Sequence, residues 1–280
     1  GLGDVYKRQV EQSGGEEAQQ INFGYLLYES TLEKQDSLLR EYALKWLEKY
    51  PDNQVAQHMG NAVLNRAVRP RANDEYLKNI FDIFAPDFEQ VLTGLDYRAP
   101  ELIRCLLEEI YGSKKSPRLR ILDAGCGTGF CGGFLKKYSS FRGLYGVDIS
   151  EKMLEQAQAK KVYSHLLQSE LEQYFSQAKT KFNLIVSADV FTYFGSLEKL
   201  LSGMADSLSA GGRVIFTVSE NNLNDDDYFL HSSGRYLHHQ NYVGKVLEKA
   251  GFEVEKLERA KLRNEGENIV YGYVVSALKK

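Results

Sequence analysis

The chain has 280 residues, 43% of them hydrophobic and 26% charged, with a formal net charge of −3. That balance suits one large globular domain, or a medium domain with an added module. It gives no basic tail for nucleic acid and no cationic patch for a membrane surface. No apolar run approaches the roughly 20 residues that span a bilayer. The three cysteines, Cys105, Cys126 and Cys131, cannot build a disulfide framework and lack zinc-ligand spacing, so a cytoplasmic location is expected.

The opening GLGDVYKRQ, residues 1–9, begins without Met and precedes no apolar signal stretch. It resembles a translated adapter remnant, which implies a native start further upstream. A genuine flexible terminus is the alternative. Residues 10–70 are expected to be helical. Leu26, Leu27, Leu38, Leu39, Ala43, Trp46 and Leu47 recur at three- and four-residue steps, and Val55, Ala56, Met59, Ala62 and Val63 resume them. Tyr50-Pro51-Asp52-Asn53 breaks the run. The stretch ALKWLEKYPDNQVAQHMGNAVLN resembles a tetratricopeptide-repeat unit. Repeat arrays need about three units, so a truncated array able to hold a protein partner stands beside two helices capping the main domain.

Arg69 to Asp74 is polar, lacks periodicity and reads as a linker. Over residues 74–118 an aromatic amphipathic segment, Tyr76, Ile80, Phe81, Phe84 and Phe88, leads into DYRAPELIRCLLEEIYG. Ala99-Pro100-Glu101 opens that last helix and Gly112 closes it. This segment is expected to form a lid.

Residues 119–280 change texture. RILDAG, GLYGVDI, FNLIVSAD and GRVIFTVS are short apolar runs separated by helical patterns. Such strands are covered on both faces and belong to a parallel sheet. FEVEKLERAKL and NIVYGYVVSAL follow without an intervening helix and are expected to pair as an antiparallel hairpin at the edge. The expected fold is α/β: a doubly wound, mostly parallel seven-stranded sheet ending in that hairpin, preceded by a helical segment.

Ligands of such sheets bind at the carboxyl ends of the strands. The first strand ends in Asp123-Ala124-Gly125-Cys126-Gly127-Thr128-Gly129, and a helix is expected from about Phe130. Alternate glycines permit a sharp turn and close approach by a ligand. Asp148 ends the second strand, about 20 residues on, where a carboxylate suits two ribose hydroxyls. Gly127, Gly129 and Gly132 also satisfy the dinucleotide string G-x-G-x-x-G, but late in register. Asp123 would set a carboxylate beside a pyrophosphate, a like-charge contact costing several kcal/mol. S-adenosylmethionine has ribose and adenine, an ammonium and a sulfonium, and no phosphate, so the charge pattern favours it.

ILDAGCGTGF, GVDIS, FNLIVSADV and AGGRVIF, in that order, resemble the class I S-adenosylmethionine-dependent methyltransferases. DYRAPEL and SGRYLHHQNYV resemble a bacterial subgroup in which this domain follows tetratricopeptide repeats. The resemblance implies that Asp123, Gly125 and Gly127 face the methionine part of the cofactor. It implies that Asp148 holds the ribose and Ile149 flanks the adenine. Glu170 then accepts from the adenine amine while Leu171 N–H donates to the ring, although relatives often carry Asp at that position. A plain helix-start acid is the alternative for Glu170. Ser187, Ala188 and Asp189 follow strand four at the wall between cofactor and acceptor.

Substrate candidates are Tyr193, His231, Arg235 and His238, with Arg235 clamping an acidic acceptor and a histidine as base. Ordinary surface histidines are the alternative. Asp225-Asp226-Asp227 reads as a solvated loop rather than a metal site. After strand four, Ser187-Ala188-Asp189-Val190 departs from the Asn/Asp-Pro-Pro-aromatic motif of base and glutamine methyltransferases. A small-molecule or protein acceptor is therefore expected, not nucleic acid. The rival readings are a nicotinamide-dependent oxidoreductase and a non-catalytic scaffold.

Overall fold

The computed structural model describes residues 15–32, 36–66, 69–112, 118–266 and 268–280. The leader over residues 1–9 lies outside them. Helices Glu16–Leu32, Asp36–Lys49 and Gln54–Leu64 come first. The break at Pro51 works as its chemistry dictates: Asn53 caps the next helix by accepting Ala56 N–H at 2.9 Å. Asn73 does the same for helix Asp74–Phe84, accepting from Glu75 and Tyr76 N–H. Helices Phe88–Gly94 and Ala99–Tyr111 complete the segment before the sheet.

The main sheet uses β1 (Leu119–Ala124), β2 (Ser139–Asp148), β3 (His165–Gln168), β4 (Phe182–Ser187) and β5 (Leu208–Ser219). β6 (Tyr228–Leu230) and β7 (Tyr236–His238) form a separate two-stranded hairpin. β8 (Phe252–Glu265) and β9 (Asn268–Lys279) return to the main sheet, whose order is β3-β2-β1-β4-β5-β9-β8. Pairs from β3 to β5 are parallel, while β9 runs antiparallel to β5 and to β8. This is the doubly wound sheet with a terminal hairpin that the apolar runs predicted.

Alternation along β4 explains why its sequence is continuously apolar. Ile185 packs with Leu122, Phe182 and Phe191 on one face, and Leu184 and Val186 pack with Ile103, Ile121 and Leu135 on the other. A third core belongs to the helices: Trp46, Met59, Tyr76, Ile80 and Phe84 share it with Met153, which sits on helix Glu151–Ala159 beside the sheet. Each such buried side chain contributes about 1.5–3 kcal/mol of apolar transfer. The amino-terminal helices, the aromatic segment and the sheet domain therefore cohere through one apolar cluster.

The stretch after Arg69, read as a linker, is docked. Pro70 O accepts Gly195 N–H at 2.8 Å and Ser196 N–H at 2.9 Å, and Ala72 N–H donates to Tyr193 O at 2.8 Å. Lack of periodicity carries no information about backbone pairing with a distant loop. The β6–β7 hairpin, also unforeseen, is tied to the same stretch because Tyr236 OH donates to Arg69 O at 2.6 Å.

Candidate functional site

The carboxyl ends of β1, β2 and β4 open into one cavity under the aromatic segment. It is lined by Asp123, Gly125, Gly127, Asp148, Ile149, Glu170 and Leu171 at one end, and by Asp189, Tyr193, Arg235 and Arg263 at the other, with Phe81, Phe84, Phe88 and Tyr97 above. The turn after β1 is glycine-dependent. Gly125 has φ +74°, and a Cβ there would lie 2.3 Å from Val190 Cγ2. Gly127 has φ +52° and opens only toward Phe88, 3.8 Å away, leaving its backbone face accessible. The following helix starts at Gly132, two residues later than expected, because the positive φ of Gly129 prolongs the turn.

Both strand-end acids are buried, Asp123 to 1% and Asp148 to 8% exposure. Asp148 accepts Gly127 N–H at 2.8 Å and Ser150 N–H at 2.9 Å, one on each oxygen. Ile149 N–H also acts on this carboxylate, which with about four lone-pair directions keeps room for a ligand hydroxyl. Burial lifts the Asp148 carboxyl to about 6 against these hydrogen bonds. Asp123 accepts Tyr163 OH at 2.6 Å. Burial raises its carboxyl to about 7, opposed by that hydrogen bond and reinforced by the Asp148 charge. Two desolvated acids at a cavity mouth suit a guest that brings a cation and hydroxyl donors.

The fate of the other candidates differs. Glu170 lines the cavity, but its two oxygens accept Glu172 and Gln173 N–H at 2.9 and 2.8 Å, so it caps helix Leu171–Gln177. Tyr193 and Arg235 line the cavity. Ser187, His231 and His238 are not among the residues that line it. Ser187 Oγ donates to Ala124 O at 2.8 Å, fastening β4 to β1. His238 is fully buried with Nε2 at 3.1 Å from Gly195 O, and burial drives its imidazole down to about 4. His231 Nδ1 lies 2.9 Å from Ser233 Oγ inside its own turn, and burial lowers its imidazole too. Pairing of β6 with β7 consumes the histidine-rich segment as packing and leaves Arg235 to reach the cavity.

Arg263 and its neighbour Glu265 were missed in the sequence. They end β8, where the register skips between Lys261 and Arg263. The bulge re-aims the strand, so consecutive Leu262 and Arg263 are both buried. Arg98 N–H donates to Leu262 O at 2.8 Å and Asn264 N–H to Leu95 O at 2.7 Å, tying the strand end to the loop before helix Ala99–Tyr111.

The aromatic segment is fastened to the strand-end loops. Thr128 Oγ1 donates to Glu89 at 2.6 Å, Lys160 pairs with the same carboxylate, and Ser150 Oγ donates to Asp82 at 2.6 Å. Glu89→Ala is expected to speed dissociation of bound S-adenosylhomocysteine about fivefold, since a half-exposed hydrogen-bond pair stabilises by roughly 1 kcal/mol. Stopped-flow displacement measures this, and an unchanged off-rate would mean that these contacts do not hold the aromatic segment over the cavity.

Sheet order, glycine turn and paired acids together define a doubly wound domain that takes a ribose-bearing ligand at its strand ends. A family model described as a methyltransferase domain matches residues 95–257, and the chain belongs to that family, with the class I S-adenosylmethionine-dependent methyltransferase fold. Human methyltransferase-like protein 27 is 43% identical over 89 residues, 31% of this chain and 35% of that protein. Malonyl-[acyl-carrier protein] O-methyltransferase of Priestia megaterium is 25% identical over 151 residues, 53% of each chain. The chain thus spans only about a third to a half of these relatives' length. Among solved structures, the Synechocystis magnesium protoporphyrin IX methyltransferase with bound S-adenosylhomocysteine superposes with TM-score 0.58 at 19% identity, covering 74% of this chain and 100% of that one.

Proposed function

We propose that the chain catalyses S-adenosylmethionine-dependent methyl transfer to a small-molecule or protein acceptor. The observation that carries this is the pair of buried acids, Asp123 and Asp148, flanking a glycine turn at the mouth of one lidded cavity. The cofactor would supply an electrophilic methyl group on a sulfonium. Asp123 would draw its ammonium, Asp148 its ribose hydroxyls, and Ile149 and Leu171 would flank the adenine, with Glu170 beside them. A dinucleotide fits poorly, because its pyrophosphate would meet the Asp123 carboxylate in a desolvated site. Transfer is an in-line displacement, so the residues contribute chiefly position and exclusion of water; the aromatic lid serves the second. Transfer to oxygen is supported by the named activity of the Priestia relative.

The finer reading places the chain in the repeat-bearing bacterial subgroup, with residues 10–70 as a truncated tetratricopeptide-like segment that holds a protein partner. Residues 74–118 would then be the lid, residues 119–280 the cofactor domain, and the cytoplasm the site of action. Among the described residues no helix is long and apolar enough to cross a membrane.

Calorimetry with S-adenosylmethionine, S-adenosylhomocysteine and NAD tests the proposal; NAD binding without S-adenosylhomocysteine binding would refute it. Placement of Arg235 in the cavity, and of His231 outside it, also separates their variants. Arg235→Ala is expected to cut turnover by about tenfold or more with cofactor affinity unchanged. His231→Ala should leave turnover within about twofold. A large loss from His231→Ala, measured at saturating cofactor, would return that histidine to the mechanism.

A further inference from the structure

The acceptor end of the cavity carries an unusual charge arrangement. Two guanidinium groups line it, Arg235 and Arg263, against one carboxylate, Asp189. Asp189 binds Arg263 Nη1 at 3.2 Å. The balancing acid, Glu265, stands behind the lining at 3.6 Å from Arg235 and 3.8 Å from Arg263, beyond hydrogen-bond length. Arg263 is only 2% exposed, yet its Nε has no hydrogen-bond partner. A buried donor left unmatched costs free energy, and a planar fork of such donors matches a carboxylate. The surroundings are flat and apolar: Tyr97, Tyr193 and Phe81 wall the same space. Burial works against the Arg235 charge, but Tyr193, Glu265 and Asp189 outweigh it and hold the guanidinium well above its ordinary range.

Resting on the methyltransferase reading, we propose that the acceptor is a carboxylic acid with an aromatic or apolar body, bound by Arg263 and Arg235 and converted to its methyl ester. Among the described residues that line the cavity there is no histidine, and a carboxylate acceptor does not call for one. The acid arrives ionised, so no base has to remove a proton. One carboxylate oxygen donates a lone pair to form the C–O bond, the C–S bond breaks, and its electron pair stays on sulfur. Anion and sulfonium give a neutral ester and a neutral sulfide, and no proton is released.

The test titrates phenylacetate and 2-naphthoate, and their primary amides, into protein saturated with S-adenosylhomocysteine. The acids are expected to bind about tenfold or more tightly than the amides, and that ratio should fall to about one in the double substitution Arg263→Met with Asp189→Asn. Removing both partners avoids stranding a buried carboxylate, and Arg235→Met provides a second variant. Equal affinity for acid and amide, or no binding by either, overturns the proposal. Loss of S-adenosylhomocysteine affinity in either arginine variant also overturns it, because the guanidiniums would then serve the cofactor's own carboxylate. Failure of the unaltered protein to bind S-adenosylhomocysteine at all instead strikes the methyltransferase reading. With methyl-labelled S-adenosylmethionine, the acids that bind should take up label that mild alkali releases as methanol. Alkali-stable label, or no transfer to an acid that binds, excludes the ester.

Discussion

Replacing Asp148 with alanine is expected to weaken S-adenosylmethionine binding by about 1–3 kcal/mol, roughly 5- to 150-fold. Two losses act together. The ribose hydroxyls lose an ionised acceptor, and Gly127 and Ser150 N–H lose the oxygens that hold them at 2.8 and 2.9 Å. The second loss loosens the turn that should face the methionine part. Asp148→Asn separates the two, since its amide oxygen still accepts one backbone N–H while the charge is gone. Calorimetry should therefore rank the unaltered protein above Asp148→Asn, and Asp148→Asn above Asp148→Ala. Equal affinities across the three would remove Asp148 from the site.

The second large effect is a proton linked to cofactor binding. Burial raises Asp123 to about 7 and Asp148 to about 6, above the ordinary carboxylate range. A carboxyl raised in the folded state contributes stability that is present at low pH and lost as pH climbs through its folded value. Without ligand these two groups should therefore make the fold progressively less stable from about pH 4, the ordinary carboxylate value, up to about pH 7. An ammonium-bearing ligand reverses the preference, because it binds the ionised form of Asp123. Affinity for S-adenosylhomocysteine should rise with pH below about 7, by up to about tenfold per unit for one linked proton. Protons should be released on binding near the middle of that range. Calorimetry in two buffers of different ionisation enthalpy counts them, and Asp123→Asn should flatten the profile. Affinity constant from pH 5.5 to 8 in the unaltered protein would contradict the linkage.

The sheet was legible because its strands are buried on both faces, so β1, β2, β4 and β5 carry apolar runs that periodicity detects. The glycine turn and Asp148 were legible because backbone conformation and strand-end position constrain residue type. The acceptor end was not. Arg263 lies one residue past FEVEKLERAKL, the run expected as an edge strand, and belongs to no recognisable motif. Its burial depends on a one-residue register skip and on the loop Leu95–Arg98 lying across the strand end, neither of which leaves a local pattern. The histidines misled for the opposite reason. His231, His238 and His239 crowd into nine residues, a density that suggests catalytic groups. The short hairpin instead folds His238 inward against Tyr242 and Gly195, and His239 caps the next helix at Asn241 N–H.

The stitching of Leu95 and Arg98 to Asn264 and Leu262 has a practical corollary for dissecting the molecule. The match to the methyltransferase family stops at residue 257, short of Arg263 and of all of β9, the strand lying between β5 and β8. A fragment cut at the family's boundaries would retain the glycine turn and both strand-end acids. It would expose the flank of β5, lack the aromatic helices Asp74–Phe84 and Phe88–Gly94 that cover the cavity, and lose one of the two guanidiniums. The smallest self-sufficient unit is therefore set by who closes the cavity rather than by where the recognisable sequence ends.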